Sequence, residues 1–369
     1  MRALYFFLGW ATACAAEAPA DGDRSQTCPA PDTDGEGTLD PVARVVTDVR
    51  VPGHTGLVQV RVEAGRVTEL GESVRLDDAQ VTDGGGRWLT PGWIDSHVHL
   101  AYLPAATEMA GAGVVAVVDL AAPIDWLAHP PTALRMKASG PMVTPPGGYP
   151  TQSWGRNGYG LEVATAEAAE AAVDQLYDAG ARVIKVPLNG PPDHSDTTLQ
   201  AIVARAHSLE LPVVVHALDS SGAQRAAEAG ADVLVHVPTD SLSDAAVRAW
   251  AGRAVVPTLA AFGASDVAID NLRRLHGAGA TILYGTDFGN ARTVGISTPE
   301  LEAMAAAGMS PAEVWAAGTS VPASFWGWDD LGTVAVGAHG VFVLTDVDPA
   351  LDLSTWAREV VRWPGQGCG

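Results

Sequence analysis

From residue 91 onward the chain repeats one alternation, and this alternation limits its fold more than any other feature. Short β-branched runs, "GVVAVVDL", "ARVIKVPL", "LPVVVHAL", "ADVLVHVP", "RAVVPTLA" and "ATILYGTD", are separated by stretches such as "ATAEAAEAAVDQLYDAG". The Ala, Leu and Glu content of those stretches favours helix. Strand alternating with helix implies a parallel sheet. With a first strand in "GWIDSHVHL" and a third near "ALRMKASG", the count reaches the eight strands of a (β/α)8 TIM barrel. Before it, residues 42–88 hold short alternating segments, "LVQVRVEAG" and "RVTELG", with glycine turns that read as antiparallel strands. After Ser320, "LGTVAVGAHGVFVLTD" returns to strand texture. The expected architecture is α/β: a barrel over residues 91–319, and a small β-sandwich built from residues 42–90 plus 320–369.

The N-terminus has a different texture. A lone Arg2 precedes an apolar run too short to span a bilayer, followed by small residues. Residues 1–15 therefore read as an export signal, and Cys14 after Ala-Thr-Ala as a candidate lipidation site. Residues 16–41, rich in Pro, Gly and Asp, read as a flexible tether. The expected location is periplasmic or lipid-anchored to the cell envelope, with an N-terminal lipid as the sole membrane attachment. The formal charge of −21 argues against a nucleic-acid partner, which demands a basic surface. With 47% hydrophobic and 18% charged residues among 369, the chain can bury a large core. Its oligomeric state is not legible.

In such barrels the chemistry lies at the C-terminal strand ends. Those ends carry His97 and His99 (strand one), Lys185 (strand four), His216 (strand five), His236 (strand six) and Asp287 (strand eight, "YGTDFG"). His97 and His99 are two residues apart on one strand, so both rings point to the same face, an arrangement suited to one metal ion. A lone histidine at a strand end is more often a satisfied polar residue, and Asp287 alone reads as turn chemistry. Six such residues at one barrel mouth favour a metal site. The remaining histidines, His54, His129, His194, His207, His276 and His339, fall in expected loops or helices and read as surface residues. Of the 22 basic residues only Lys137 and Lys185 are lysines, so a lysine invites the question of what arginine cannot do.

The motifs "LTPGWIDSHVHL", "VIKVPL", "VVVHAL", "VLVHVP", "LYGTDFG" and the tail "LGTVAVGAHGVFVLTD" resemble those of the amidohydrolase superfamily, in the branch of imidazolonepropionase-related and Xaa-Pro dipeptidase-like enzymes. The resemblance covers residues 42–363. It implies two divalent ions, of zinc type: one on His97, His99 and Asp287, the other on His216 and His236, with Lys185 bridging them. A protonated lysine has no lone pair for a cation. A neutral lysine can add CO2 to become a carbamate with two oxygen ligands, whereas arginine stays protonated.

The resemblance further implies a hydrolase that acts on an amide C–N bond of a small peptide, N-acyl amino acid or cyclic amide through metal-bound hydroxide. Asp287 would be the general base and then the proton donor to the leaving nitrogen. Tyr149, Arg156 and Asn189, on loops at the mouth, are the expected substrate contacts. Two departures stand out. The strand-three loop reads "PGGYP", with Tyr149 where relatives commonly carry histidine, and the tail reads "HGVFVL" rather than "ADLVVL".

Two other readings compete. A mononuclear deaminase on the same fold would need an acidic shuttle after His216, where "HALDSSG" offers Asp219. A non-catalytic binding protein on a retired barrel would have lost a ligand or the base, and none is missing. With Cys14 assigned to the signal, Cys28 and Cys368 remain. In an oxidising compartment they are expected to form a disulfide between tether and tail.

Overall fold

The computed structural model describes residues 42–357 and 361–363. Cys14, Cys28, Cys368, the signal and the tether lie outside the described residues. Among those described, no helix is long and apolar enough to cross a membrane.

The first strands are β1 (Ala43–Val49), β2 (Val58–Glu63), β3 (Arg66–Gly71), β4 (Ala79–Asp83) and β5 (Trp88–Pro91). The first four form one sheet in the order β3-β2-β1-β4. In β2, Val58, Val60 and Val62 are buried at every second position, as a two-residue repeat requires.

The barrel strands follow. β6 (Trp93–Val98), β7 (Val114–Asp119) and β8 (Arg135–Ala138) form a parallel sheet. A short parallel pair, β9 (Met142–Thr144) and β10 (Gly160–Glu162), brackets a long loop. Then come β11 (Ile184–Leu188), β12 (Val213–Ala217), β13 (Val233–Val235), β14 (Ala254–Val256) and β15 (Thr281–Ile282), all parallel. Backbone hydrogen bonds join the two parallel sheets at both seams. On one side Arg182 N–H donates to Ala138 O at 3.0 Å. On the other, the chain leaving β15 runs beside β6: Ser96 N–H reaches Tyr284 O at 2.9 Å, and Asp287 N–H reaches His97 O at 2.9 Å.

Neighbouring strand residues serve different layers. Val214 joins an inner cluster with Ile94, Val118 and Leu283. Val213 and Val215 face outward onto Leu176, Ile202 and Ala226 of the surrounding helices. A sheet covered on both faces produces such uninterrupted apolar runs. The helices start where side-chain caps allow: Thr165, Ser195, Asp219, Ser243 and Ser265 each accept a hydrogen bond from the backbone three residues on.

The chain then returns through β16 (Phe342–Thr345) and β17 (Val361–Trp363), which form a second sheet with β5 in the order β17-β16-β5. Leu89, Phe342, Leu344 and Trp363 pack against Val46, Val60 and Val62 of the first sheet. The helix Ser320–Trp326, assigned by the sequence reading to this small unit, instead lies on the barrel: the Trp326 indole donates to Ser96 Oγ at 3.1 Å. Asp330 ties the two units together. Its carboxylate takes Arg135 from β8 and Arg66 from β3, and Arg135 above all holds it down to about 2.

Candidate metal centre

All six expected ligands are buried and line one cavity of about 300 Å³. β6 supplies His97 and the residue just beyond it supplies His99. β11 contributes Lys185 and β12 contributes His216, while His236 follows β13 and Asp287 follows β15. One oxygen of Asp287 lies 3.0 Å from His99 Nε2 and 3.5 Å from His97 Nε2. Ligand atoms of these three residues all fall within 4.8 Å of one another. The His236 ring centre is 4.5 Å from that of His216 and 4.9 Å from that of His97.

The donors fit a metal. Both ring nitrogens of His97, Nδ1 of His99, Nε2 of His216 and Nζ of Lys185 are buried without a hydrogen-bond partner. Each such atom costs about 1–3 kcal/mol if left unsatisfied. Their gathering in one place fits a set of metal ligands rather than poor packing. Burial pushes the His97, His216 and His236 imidazoles well below their usual range, which leaves neutral rings with free lone pairs. Burial likewise pulls Lys185 down to about 7, against the opposing pull of Asp287.

The surrounding residues hold these groups in place. Thr258 Oγ1 lies 2.7 Å from His236 Nδ1 and donates its own proton to Pro257 O at 2.8 Å. The hydroxyl must therefore accept from His236 Nδ1–H, which turns the Nε2 lone pair toward the cavity. Three non-glycine residues here adopt left-handed backbone: His236 (φ 67°), Thr258 (φ 47°) and Asp287 (φ 55°). Such positions cost about 1–3 kcal/mol each and persist where the surroundings over-determine them.

Asp95 is part of that constraint. Its fully buried carboxylate accepts from His97 N–H at 3.0 Å, Thr286 N–H at 3.1 Å and Thr286 Oγ1 at 2.6 Å, and burial raises it to about 7. It thereby fastens the histidine strand to the turn that carries Asp287. Two glycines of "YGTDFG" permit the close approach. A Cβ on Gly285 would sit 2.4 Å from Val256 Cγ1, and one on Gly289 2.7 Å from His99 Cβ.

Three aromatic rings stand outside the imidazoles: Tyr149 stacks on His216 at 5.1 Å, Trp154 lies 5.2 Å from His99, and Phe262 meets His236 edge-on at 4.7 Å. The Trp154 indole donates to Tyr149 Oη at 2.8 Å. Of the expected substrate contacts, Tyr149 and Asn189 line the cavity. Arg156 does not; it is exposed and donates to Gln152 O at 3.1 Å. Asp219 is occupied as a helix cap, accepting from Gly222 N–H at 2.8 Å, and this disfavours the deaminase reading.

His194, expected on the surface, is 3% exposed, with Nε2 3.1 Å from Val143 O. A loop before a capped helix turned inward against β9, a packing that local sequence does not reveal. Sequence reasoning also missed Trp154, Phe262, Thr258 and Asp95. Of these only Asp95 carried a signal, being an acidic residue inside a run otherwise suited to burial.

Comparison with known proteins supplies the lineage. Imidazolonepropionase of Streptomyces avermitilis is 28% identical over 366 residues, covering 81% of this chain and 84% of that enzyme. Dihydroorotase of Anaeromyxobacter dehalogenans is 47% identical, but over only 49 residues, 11% of its length. A Xaa-Pro dipeptidase with methionine in its active site superposes with a TM-score of 0.72 at 20% identity, covering 86% of this chain and 97% of that one. A. niger ochratoxinase gives a TM-score of 0.71 at 19% identity, covering 88% and 94%. Both structural likenesses speak to the fold. Residues 88–362 match the Amidohydrolase family, and the chain accordingly belongs to that family of hydrolases acting on carbon–nitrogen bonds.

Proposed function

We propose that the chain is a metal-dependent amidohydrolase that cleaves the C–N bond of a small amide: a short peptide, an N-acyl amino acid or a cyclic amide. The observation that carries this reading is the set of six buried ligand groups converging from separate strand ends, with five of their polar atoms lacking a partner. In this reading His97, His99 and Asp287 would hold one ion, and His216 and His236 would hold a second. Lys185 would serve both as a carbamate: its neutral amine would add to the carbon of CO2 and lose one proton, leaving a carboxylate on Nζ. Bound divalent ions supply Lewis acidity that polarises the amide carbonyl and acidifies water.

The chain's own groups handle the protons. Asp287 accepts one from the attacking water and returns it to the nitrogen as the C–N bond breaks. Asn290 Nδ2 donates to Asp287 Oδ1 at 3.2 Å and steadies that carboxylate. Tyr149, raised to about 12 by burial, keeps its phenolic proton at neutral pH. Its oxygen already accepts from Trp154, so that proton is left to donate to the substrate carbonyl as negative charge develops on it.

Metal analysis of protein purified without chelator, followed by assay of the loaded protein on dipeptides, N-acyl amino acids and lactams, tests the proposal. Near two equivalents of metal with turnover of at least one amide class is expected. Near one equivalent, or none, would refute it.

A further inference from the structure

Resting on the reading of the site as a small-amide hydrolase, we propose that the favoured substrate is an uncharged amide bearing an aromatic group, in place of the free-carboxylate dipeptides and N-acyl amino acids. The cavity has two ends of different character. The ligand groups are at most 4% exposed, whereas Phe262 is 37% exposed and Tyr149 and Trp154 are half-buried. The scissile bond must reach the deep ligand end, so the rest of the substrate lies among the three rings.

Those rings are held in advance of any ligand. Trp154 is tied to Tyr149 by the indole hydrogen bond. Phe262 ends a short turn (Ala260–Phe262) whose start is gripped by the buried carboxylate of Glu300, which accepts from Leu259 N–H at 3.0 Å and Ala260 N–H at 2.7 Å. Fixed, partly open aromatic faces bind an apolar or aromatic group without an ordering cost. Met142 and Leu218 complete the apolar wall.

Charge supplies the second argument. Among the described residues lining the cavity, Lys185 is the one cationic side chain, and in the proposed form it is a carbamate and therefore anionic. Asp287 is the other ionisable carboxylate present. Arg156 and Arg292, each two residues along the chain from a lining residue, are exposed and outside the lining, and Arg225, also outside it, is taken up by Asp196 and His194 O. The ions' positive charge belongs to the deep end, where the scissile carbonyl sits. A carboxylate among the aromatic walls would lose its hydration with no side-chain cation to replace it, a severe penalty. A neutral aryl amide of one ring and a short acyl chain suits both the walls and a volume of about 300 Å³.

Matched pairs test this: acetanilide against 4-acetamidobenzoate, and N-propylbenzamide against benzoylglycine. Calorimetric binding to wild-type protein, metal-free and metal-loaded, gives a readout independent of turnover. The neutral member of each pair is expected to bind at least about 10-fold more tightly and, on loaded protein, to show the higher kcat/KM. Phe262→Ala should weaken the neutral ligands by about 10-fold while metal content is unchanged. Equal or tighter binding of the acids, no binding of either member, or an unaffected Phe262→Ala variant would overturn the inference. Tight neutral binding without hydrolysis would uphold it and count against the catalytic reading instead. Turnover confined to free-acid substrates would do the reverse.

Discussion

Thr258 offers a way to perturb the candidate metal centre without touching a ligand. It is fully buried, and its hydroxyl accepts from His236 Nδ1–H at 2.7 Å while donating to Pro257 O. Thr258→Val keeps shape and β-branching, and so leaves the strain of its left-handed backbone unchanged. It removes the acceptor for His236 Nδ1–H and the donor to Pro257 O, which still accepts from Val237 N–H at 3.1 Å. In the variant, either Nδ1–H stays unsatisfied, at about 1–3 kcal/mol, or the ring adopts the other tautomer and blocks Nε2 from a metal. Loss of such an orienting partner typically weakens metal affinity by about 10–100-fold, which corresponds to about 1.4–2.7 kcal/mol. The two estimates agree. Thr258→Ser retains the hydroxyl and should stay within about 3-fold of wild type, well under 1 kcal/mol. Competition against a chromogenic chelator measures the affinity of each ion, and thermal unfolding of metal-free protein checks that the valine variant folds. The ion assigned to His216 and His236 alone should respond, since His236 and not His97 or His99 has lost its partner. A folded Thr258→Val protein that binds both ions as tightly as wild type would refute the tautomer argument.

Three further substitutions probe separate parts of the reading. Lys185→Ala should lose the second ion and most activity, with partial return in acetate or propionate; Lys185→Arg should do no better, and a fully active arginine variant would end the carbamate proposal. Asp287→Asn should lower kcat by at least about 10²-fold, the usual worth of a general base, with a smaller drop in metal content; normal turnover would assign the base elsewhere. Glu300 concerns stability. Burial raises its carboxyl from 4.5 to about 7, so the folded state binds the proton more tightly than the unfolded chain. Its penalty is absent below about pH 4.5 and grows to the order of 3 kcal/mol as pH rises through about 7. Glu300→Gln should flatten this fall in denaturant titrations between pH 5 and pH 8 (about the span of the titration), and an unchanged slope would show that Glu300 is not its source.

The relation between sequence and structure divides along physical lines. Patterns repeated over many residues were readable because they arise locally. Strand runs such as "VVVHA" and "IKVPL" are uninterrupted where both faces are covered, and each Ser, Thr or Asp cap sits beside the helix it starts. The six candidate ligands were readable for the same reason, since a position at a strand end is a local property that the barrel turns into convergence. The boundary at residue 320 was misplaced because Ser320–Trp326 owes its position to a hydrogen bond with Ser96, 230 residues away. Arg156 and His194 likewise depended on which way a loop folds, and loops carry no periodicity to reveal it.

By itself, the sequence determined the strand–helix alternation, the pairing of terminal segments into a small sheet unit, and the identity of the groups at the strand ends. Only the tertiary structure decided what surrounds those groups. Asp95 grips Thr286, 191 residues away, Thr258 sets the His236 tautomer, and Glu300 secures the turn that presents Phe262. These are contacts between elements distant in the chain. Their partners are chosen by packing and by the cost of leaving a buried polar atom unpaired, and neither exists until the barrel has closed.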